Sequence, residues 1–206
     1  HHLENSRSQR ILWMLEELGL PYEVKRYERN KKTMLAPPEL KRVHPLGKSP
    51  VIEDTGDSGR VIAETGAIVE YLVDKADGRL GPPANRAAAL DYRFWLHYAE
   101  GSLMPPLLVK LVLTRVPLFG KAAQKRIQPM IDTHLDYVES HLASRPWFTG
   151  DAMTAADVMM SFPLEAARSR GGLDSSRPAT IAWLDKVHAR PAYQTALAKG
   201  GAYAYA

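Results

Sequence analysis

Cysteine is absent from the 206 residues. That excludes a disulfide framework and thiolate–zinc sites, and it leaves the protein no thiol of its own to use as a nucleophile. No apolar run approaches the roughly 20 residues that span a bilayer, so a membrane helix is excluded. A signal-peptide pattern is also missing. The formal net charge of +4 is spread over Lys and Arg mixed with Asp and Glu, whereas a nucleic-acid binder concentrates its positive charge. Histidines occur without HExxH or any other metal-ligand spacing, so no metal is expected. There is no internal repeat and no low-complexity segment. What remains, 45% apolar and 24% charged residues, is the balance of a globular protein long enough for one domain or two smaller ones.

The first third alternates between element types. "HHL" reads as a strand. "SRSQRILWMLEELGLP" reads as a helix with Ile11, Leu12, Leu15 and Leu18 on one face, stopped by Gly19 and Pro21. Alternation through Leu20, Tyr22 and Val24 predicts a second strand. "SPVIED", the turn "TGDSG" and "RVIAE" predict a hairpin, and "TGAIVEYLVDK" a helix. After Ala76 the chain becomes Gly- and Pro-rich, then helical to its end. Pro105–Pro106 should bend or break the first long helix, and Pro129 should lie near the start of another. The expected organisation is a small α/β domain over 1–76, a connector over 77–86 and an all-α domain over 87–206.

Three stretches offer chemistry. In "AETGAIVEYL", Glu64 ends a strand and Thr65 opens a helix, so free N–H groups and the helix dipole make an anion site beside a carboxylate. An α-amino acid head group carries both matching charges; a plain N-cap with an exposed acid is the alternative. "ENSRSQR" places Asn5, Ser6 and Ser8 at another helix start. Ser8 is expected to cap it, leaving Ser6 to face outward. In "GKSPVIED", Pro50 precedes a strand. It is either loop punctuation or a bend that turns a backbone edge toward something bound. A fourth stretch, "MTAADV", carries a capping signature in Thr154 and Asp157 and is structural.

"SPVIED…VIAETGAIVEYL" followed by "FTGDAMTAADV", in that order and context, resembles the cytosolic glutathione S-transferases over nearly the whole chain. "NSRSQRILWMLEELGLPYEV" is most similar to bacterial and fungal members that use a serine, and no tyrosine precedes Tyr22 to serve a tyrosine-based class. The resemblance implies a thioredoxin-like N-terminal domain joined to an all-α C-terminal domain, with Ser49–Pro50 cis. It implies glutathione as co-substrate and no metal. The cysteinyl backbone would lie along residue 49 or Val51, and the γ-glutamyl group would meet Glu64 and Thr65. The glycine carboxylate would face Lys48, helped by His44. Ser6, four residues before Arg10 as in serine-type members, would face the sulfur, with Asn5 and Arg7 competing for that place. A second, apolar pocket around Tyr98, Met104 and Leu107 would hold a small electrophile. A cytoplasmic homodimer without nucleic-acid or membrane partners is the family expectation. Conjugation of the glutathione thiolate to hydrophobic electrophiles leads; peroxide or disulfide reduction at the same site, or a non-catalytic binding module, are the alternatives.

Overall fold

The structure, a computed structural model, describes residues 1–205 and forms two compact units. The first comprises His1–Gly81 and Ala189–Ala204. In it β1 (His2–Leu3) pairs in parallel with β2 (Arg26–Tyr27) across α1 (Ser8–Leu18). Then β3 (Val51–Asp54) and β4 (Arg60–Ala63) form the antiparallel hairpin, and α3 (Thr65–Lys75) follows it. One short helix, α2 (Leu40–Val43), lies in the intervening loop. The strand expected over residues 20–24 is absent as a ladder. Exposure does alternate there, but pairing with β1 begins only at Lys25, whose carbonyl accepts from the His2 N–H at 2.9 Å. Alternation sets which side faces in; a ladder also needs a partner strand at that height.

The predicted apolar face of α1 is buried, and so are Trp13 and Met14 on the opposite side. The cover over that second face is α9 (Pro191–Gly200). Trp13 meets the Tyr193 ring edge-on at 5.6 Å. Arg190 forks onto the Glu17 carboxylate at 2.5 and 2.8 Å, and Lys199 pairs with Glu16 at 2.6 Å. The last helix, expected with the helical domain, therefore belongs with the α/β unit. A methyl group on Gly200 would lie 2.9 Å from Gln9 Oε1 and 3.0 Å from Leu12 Cδ1. Gly200→Ala should therefore destabilise the first unit by about 1–3 kcal/mol, measured by urea unfolding.

The second unit spans Pro82–His188. Asn85 caps α4 (Arg86–Tyr98), its Oδ1 accepting from the Ala87 and Ala88 N–H groups at 2.9 and 3.2 Å. Pro105–Pro106 do not break the chain's helical course. A π-helical segment, Ala99–Leu103, precedes α5 (Met104–Leu113) and places both prolines in its first turn, where a missing N–H costs least. The helix α6 (Gly120–Leu142) starts well before Pro129, which lies inside it. Its second half carries Ile131, Leu135, Val138 and Leu142 into the core. Every residue of α7 (Ala155–Ala166) is buried, and a second π segment, Ala167–Gly171, follows it. The unit closes with α8 (Pro178–His188).

The "MTAADV" signature forms as predicted. The Thr154 N–H donates to Asp157 Oδ2 at 2.9 Å, and the Phe148 N–H and Trp183 Nε1 donate to Oδ1 at 3.0 and 3.3 Å. One buried carboxylate thus ties the start of α7 to the preceding loop and to α8.

Candidate functional site

The register of the hairpin decides what can come together. Val51 pairs with Ala63, so Ser49–Pro50, just before β3, and Glu64–Thr65, just after β4, sit at the same end of the ladder. The Ser49–Pro50 peptide bond is cis. Ser49 stitches this end to β1: its Oγ donates to the His1 carbonyl oxygen at 2.9 Å and accepts the Leu3 N–H at 3.2 Å. Nothing but its place before a proline marks that hydroxyl in the sequence. The Val51 carbonyl oxygen is already taken by the main-chain nitrogen of His1 at 2.9 Å. The main-chain N–H and C=O of Ser49 have no partner among the described residues. Of the two residues flanking Pro50, Ser49 is the one with an open edge.

Glu64 holds φ 71° and ψ 121°, a left-handed backbone that side-chain-bearing residues rarely adopt. Its carboxylate is exposed and does not cap α3. The first-turn N–H groups of α3 therefore have no acceptor in the helix, next to a free carboxylate. Lys48 is exposed and makes no ion pair among the described residues. His44 is turned to local work, its Nδ1 accepting from the Leu46 N–H at 3.3 Å and its carbonyl from Gly47 at 2.8 Å.

At the start of α1 the arrangement differs from the expected one. Ser8 does not cap the helix; Arg7 occupies the N-cap position without a side-chain bond. The Ser8 hydroxyl instead accepts from the Leu3 N–H at 3.2 Å, since strand β1 ends directly above it. Ser6 does not stand free at the surface as expected. It is only 5% exposed, because its Oγ accepts the Ser8 N–H at 3.2 Å and lies 2.8 Å from Ser8 Oγ. Asn5 has φ 50°, and its Oδ1 accepts the Ala204 N–H at 2.7 Å. That bond occupies the Asn5 acceptor.

Tyr98, Met104 and Leu107 all belong to the helical unit and are buried there. Met104 and Leu107, 2% and 0% exposed, have no surface with which to line an open pocket. The Tyr98 hydroxyl is 2.6 Å from His134 Nδ1. The resemblance placed them in a pocket wall; here they are core residues. A cavity of about 950 Å³ in the first unit, lined by Leu15, Tyr22, Val24, Ile52 and Lys75, shares only Pro50 and Val51 with the candidate site residues. No group of three metal-ligating side chains occurs among the described residues.

A thioredoxin-like α/β unit whose bent proline edge lies beside a helix N-terminus, combined with an all-helical unit, defines the two-part glutathione-transferase fold. Residues 6–75 match the model of the glutathione S-transferase N-terminal domain, and residues 121–186 that of the C-terminal domain. The chain is 38% identical to Glutathione S-transferase 3 of Schizosaccharomyces pombe, over 97% of this chain and 86% of that one. A glutathione S-transferase structure from Actinobacillus pleuropneumoniae superposes with a TM-score of 0.88 at 34% identity, covering 100% of this chain and 94% of that one. A family member from Pseudomonas fluorescens with two glutathione bound superposes with a TM-score of 0.77 at 27% identity, covering 95% and 90%. The chain belongs to the glutathione S-transferase family.

Proposed function

We propose that this protein is a glutathione transferase that conjugates the glutathione thiolate to small hydrophobic electrophiles. The observation that carries the reading is the clustering of complementary groups at one end of the β3–β4 ladder. Ser49 offers an unpaired N–H and C=O, as a sheet edge does to an extended peptide. Glu64 offers a free carboxylate for the γ-glutamyl ammonium, and Thr65 with the start of α3 offers N–H donors for its carboxylate. Lys48 matches the glycine carboxylate. Pro50 shapes the edge, Val51 anchors it to His1, and His44 holds the turn that carries Lys48.

Ser6 donates to the sulfur. A free thiol has a pKa near 8.5, so only a few per cent is ionised at neutral pH. A hydroxyl donor and the start of α1 both favour the thiolate. Lowering the pKa by about one to two is worth roughly 1.4–2.7 kcal/mol and makes a substantial fraction reactive. The thiolate then attacks the electrophilic carbon, a carbon–sulfur bond forms, and the leaving group departs with its electron pair.

The test is titration of glutathione on the protein, followed through thiolate absorbance. Ser6→Ala should raise the bound thiol's pKa by about one to two and lower kcat on an aryl halide about tenfold. An unchanged pKa in Ser6→Ala, with a rise in Asn5→Ala, would hand the role to Asn5. Binding with no thiolate in the wild type would make the protein a binding module.

A further inference from the structure

Behind Ser6 lies a buried chain of side chains that ligand contacts do not require. Ser6 Oγ is 2.8 Å from Ser8 Oγ, and Ser8 Oγ is 2.9 Å from His2 Nδ1. All three residues are buried. We propose that His2 and Ser8 are positioning residues that determine whether the Ser6 hydroxyl proton points into the protein or out toward the bound sulfur. The proposal rests on the assignment of Ser6 to the sulfur.

Counting protons distinguishes two states of this chain of hydroxyls. Ser8 Oγ has one proton and two lone pairs, and the Leu3 N–H, shared with Ser49 Oγ, occupies one lone pair at 3.2 Å. If His2 carries its proton on Nδ1, it fills the other. The Ser8 proton must then go to Ser6 Oγ, or to the Leu3 carbonyl oxygen at 3.3 Å. In either case Ser6 keeps its own proton free to point outward. If His2 carries its proton on Nε2, Nδ1 accepts from Ser8. Ser8 then takes the Ser6 proton, and Ser6 turns a lone pair toward the sulfur. That arrangement repels a thiolate.

Two features bear on which state holds. Burial pushes the His2 pKa down to about 4, so at neutral pH the imidazole is uncharged and the tautomer is its only variable. On the far side of the ring, a methyl group on Gly200 would lie 3.3 Å from His2 Nε2 and 2.9 Å from Gln9 Oε1. Both ends of the Gln9 amide are buried without a partner.

The experiment compares Ser8→Ala, Ser8→Thr, His2→Leu and His2→Asn, alone and in the Ser6→Ala background. Melting temperature and glutathione affinity are followed on the same samples. Ser8→Ala and His2→Leu should each lower kcat about tenfold, raise the pKa of bound glutathione toward that of Ser6→Ala, and leave glutathione affinity within about twofold. Ser8→Thr and His2→Asn keep a hydroxyl and an N–H donor at the same places and should restore most of the activity. Neither Ser8→Ala nor His2→Leu should add to Ser6→Ala. The ¹⁵N spectrum of His2 with glutathione bound, which does not depend on any variant folding, should show Nδ1 protonated. Protonation at Nε2, or an unmoved thiol pKa in folded Ser8→Ala and His2→Leu while Ser6→Ala moves it, overturns the proposal. If Ser6→Ala itself moves nothing, the assignment of the sulfur to Ser6 fails first.

Discussion

Replacing Glu64 with glycine is expected to raise the melting temperature and weaken glutathione binding in the same variant. The backbone at φ 71° and ψ 121° is one that a residue with a Cβ holds at a cost of about 1–3 kcal/mol. Glycine adopts it freely but gives up about 0.5–1 kcal/mol more chain entropy on folding. The net gain is about 1 kcal/mol, or roughly 2–4 °C for a chain of this length. The carboxylate is lost as well. Its charge-assisted hydrogen bond to the γ-glutamyl ammonium is worth about 1.5–3 kcal/mol, so the dissociation constant should rise about ten- to a hundredfold. Calorimetric titration and a thermal melt measure both quantities. Glu64→Gln separates the causes, since it keeps the backbone cost and removes only the charge: binding should weaken with no gain in melting temperature. Unchanged affinity in both variants would mean that the head group binds elsewhere.

The largest loss of stability is expected at Asp157. It is fully buried and accepts from the Phe148 and Thr154 N–H groups and from the Trp183 indole. Asp157→Ala strands these donors, and the Thr154 hydroxyl that also donates to it, where water does not reach. With about 1–3 kcal/mol for each unsatisfied group and some relaxation, the loss should be about 3–5 kcal/mol, readable as a shift in denaturation midpoint. Asp157 also adds a pH dependence. Burial pushes its pKa from 3.8 up to about 6, against the pull of its hydrogen-bond donors. Between those values the folded protein holds a proton that the unfolded chain has released. The resulting stabilisation is complete below about pH 4 and fades as pH rises through about 6. Asp157→Asn cannot titrate, so the stability of the wild type relative to this variant should fall across that window. A constant difference would show that the carboxyl ionises alike in both states.

Patterns that depend on neighbours in sequence were legible. The hairpin follows from a turn between two β-rich runs, α3 from its apolar spacing, and the Thr154–Asp157 pair from its three-residue separation. The placing of Pro50 and Glu64 at one end of the hairpin was legible for the same reason: they flank the two paired strands. What could not be read depends on partners distant along the chain. Ser6 looks free in sequence and is buried because β1 brings Leu3 and His2 down onto Ser8. Met104 and Leu107 carry the composition of a pocket wall and are core, a distinction that packing alone makes. The strand predicted over residues 20–24 has the right alternation but no partner at that height. Pro105 and Pro106 look like breakers, and a single wider turn over Ala99–Leu103 absorbs them.

The docking of α9 on α1 has a bearing on biosynthesis. Trp13 is made long before Tyr193, whose ring covers it. A ribosome must release α9 before the first unit can close its own core. Stop codons ahead of α9 should therefore damage the first unit, even with every candidate site residue translated.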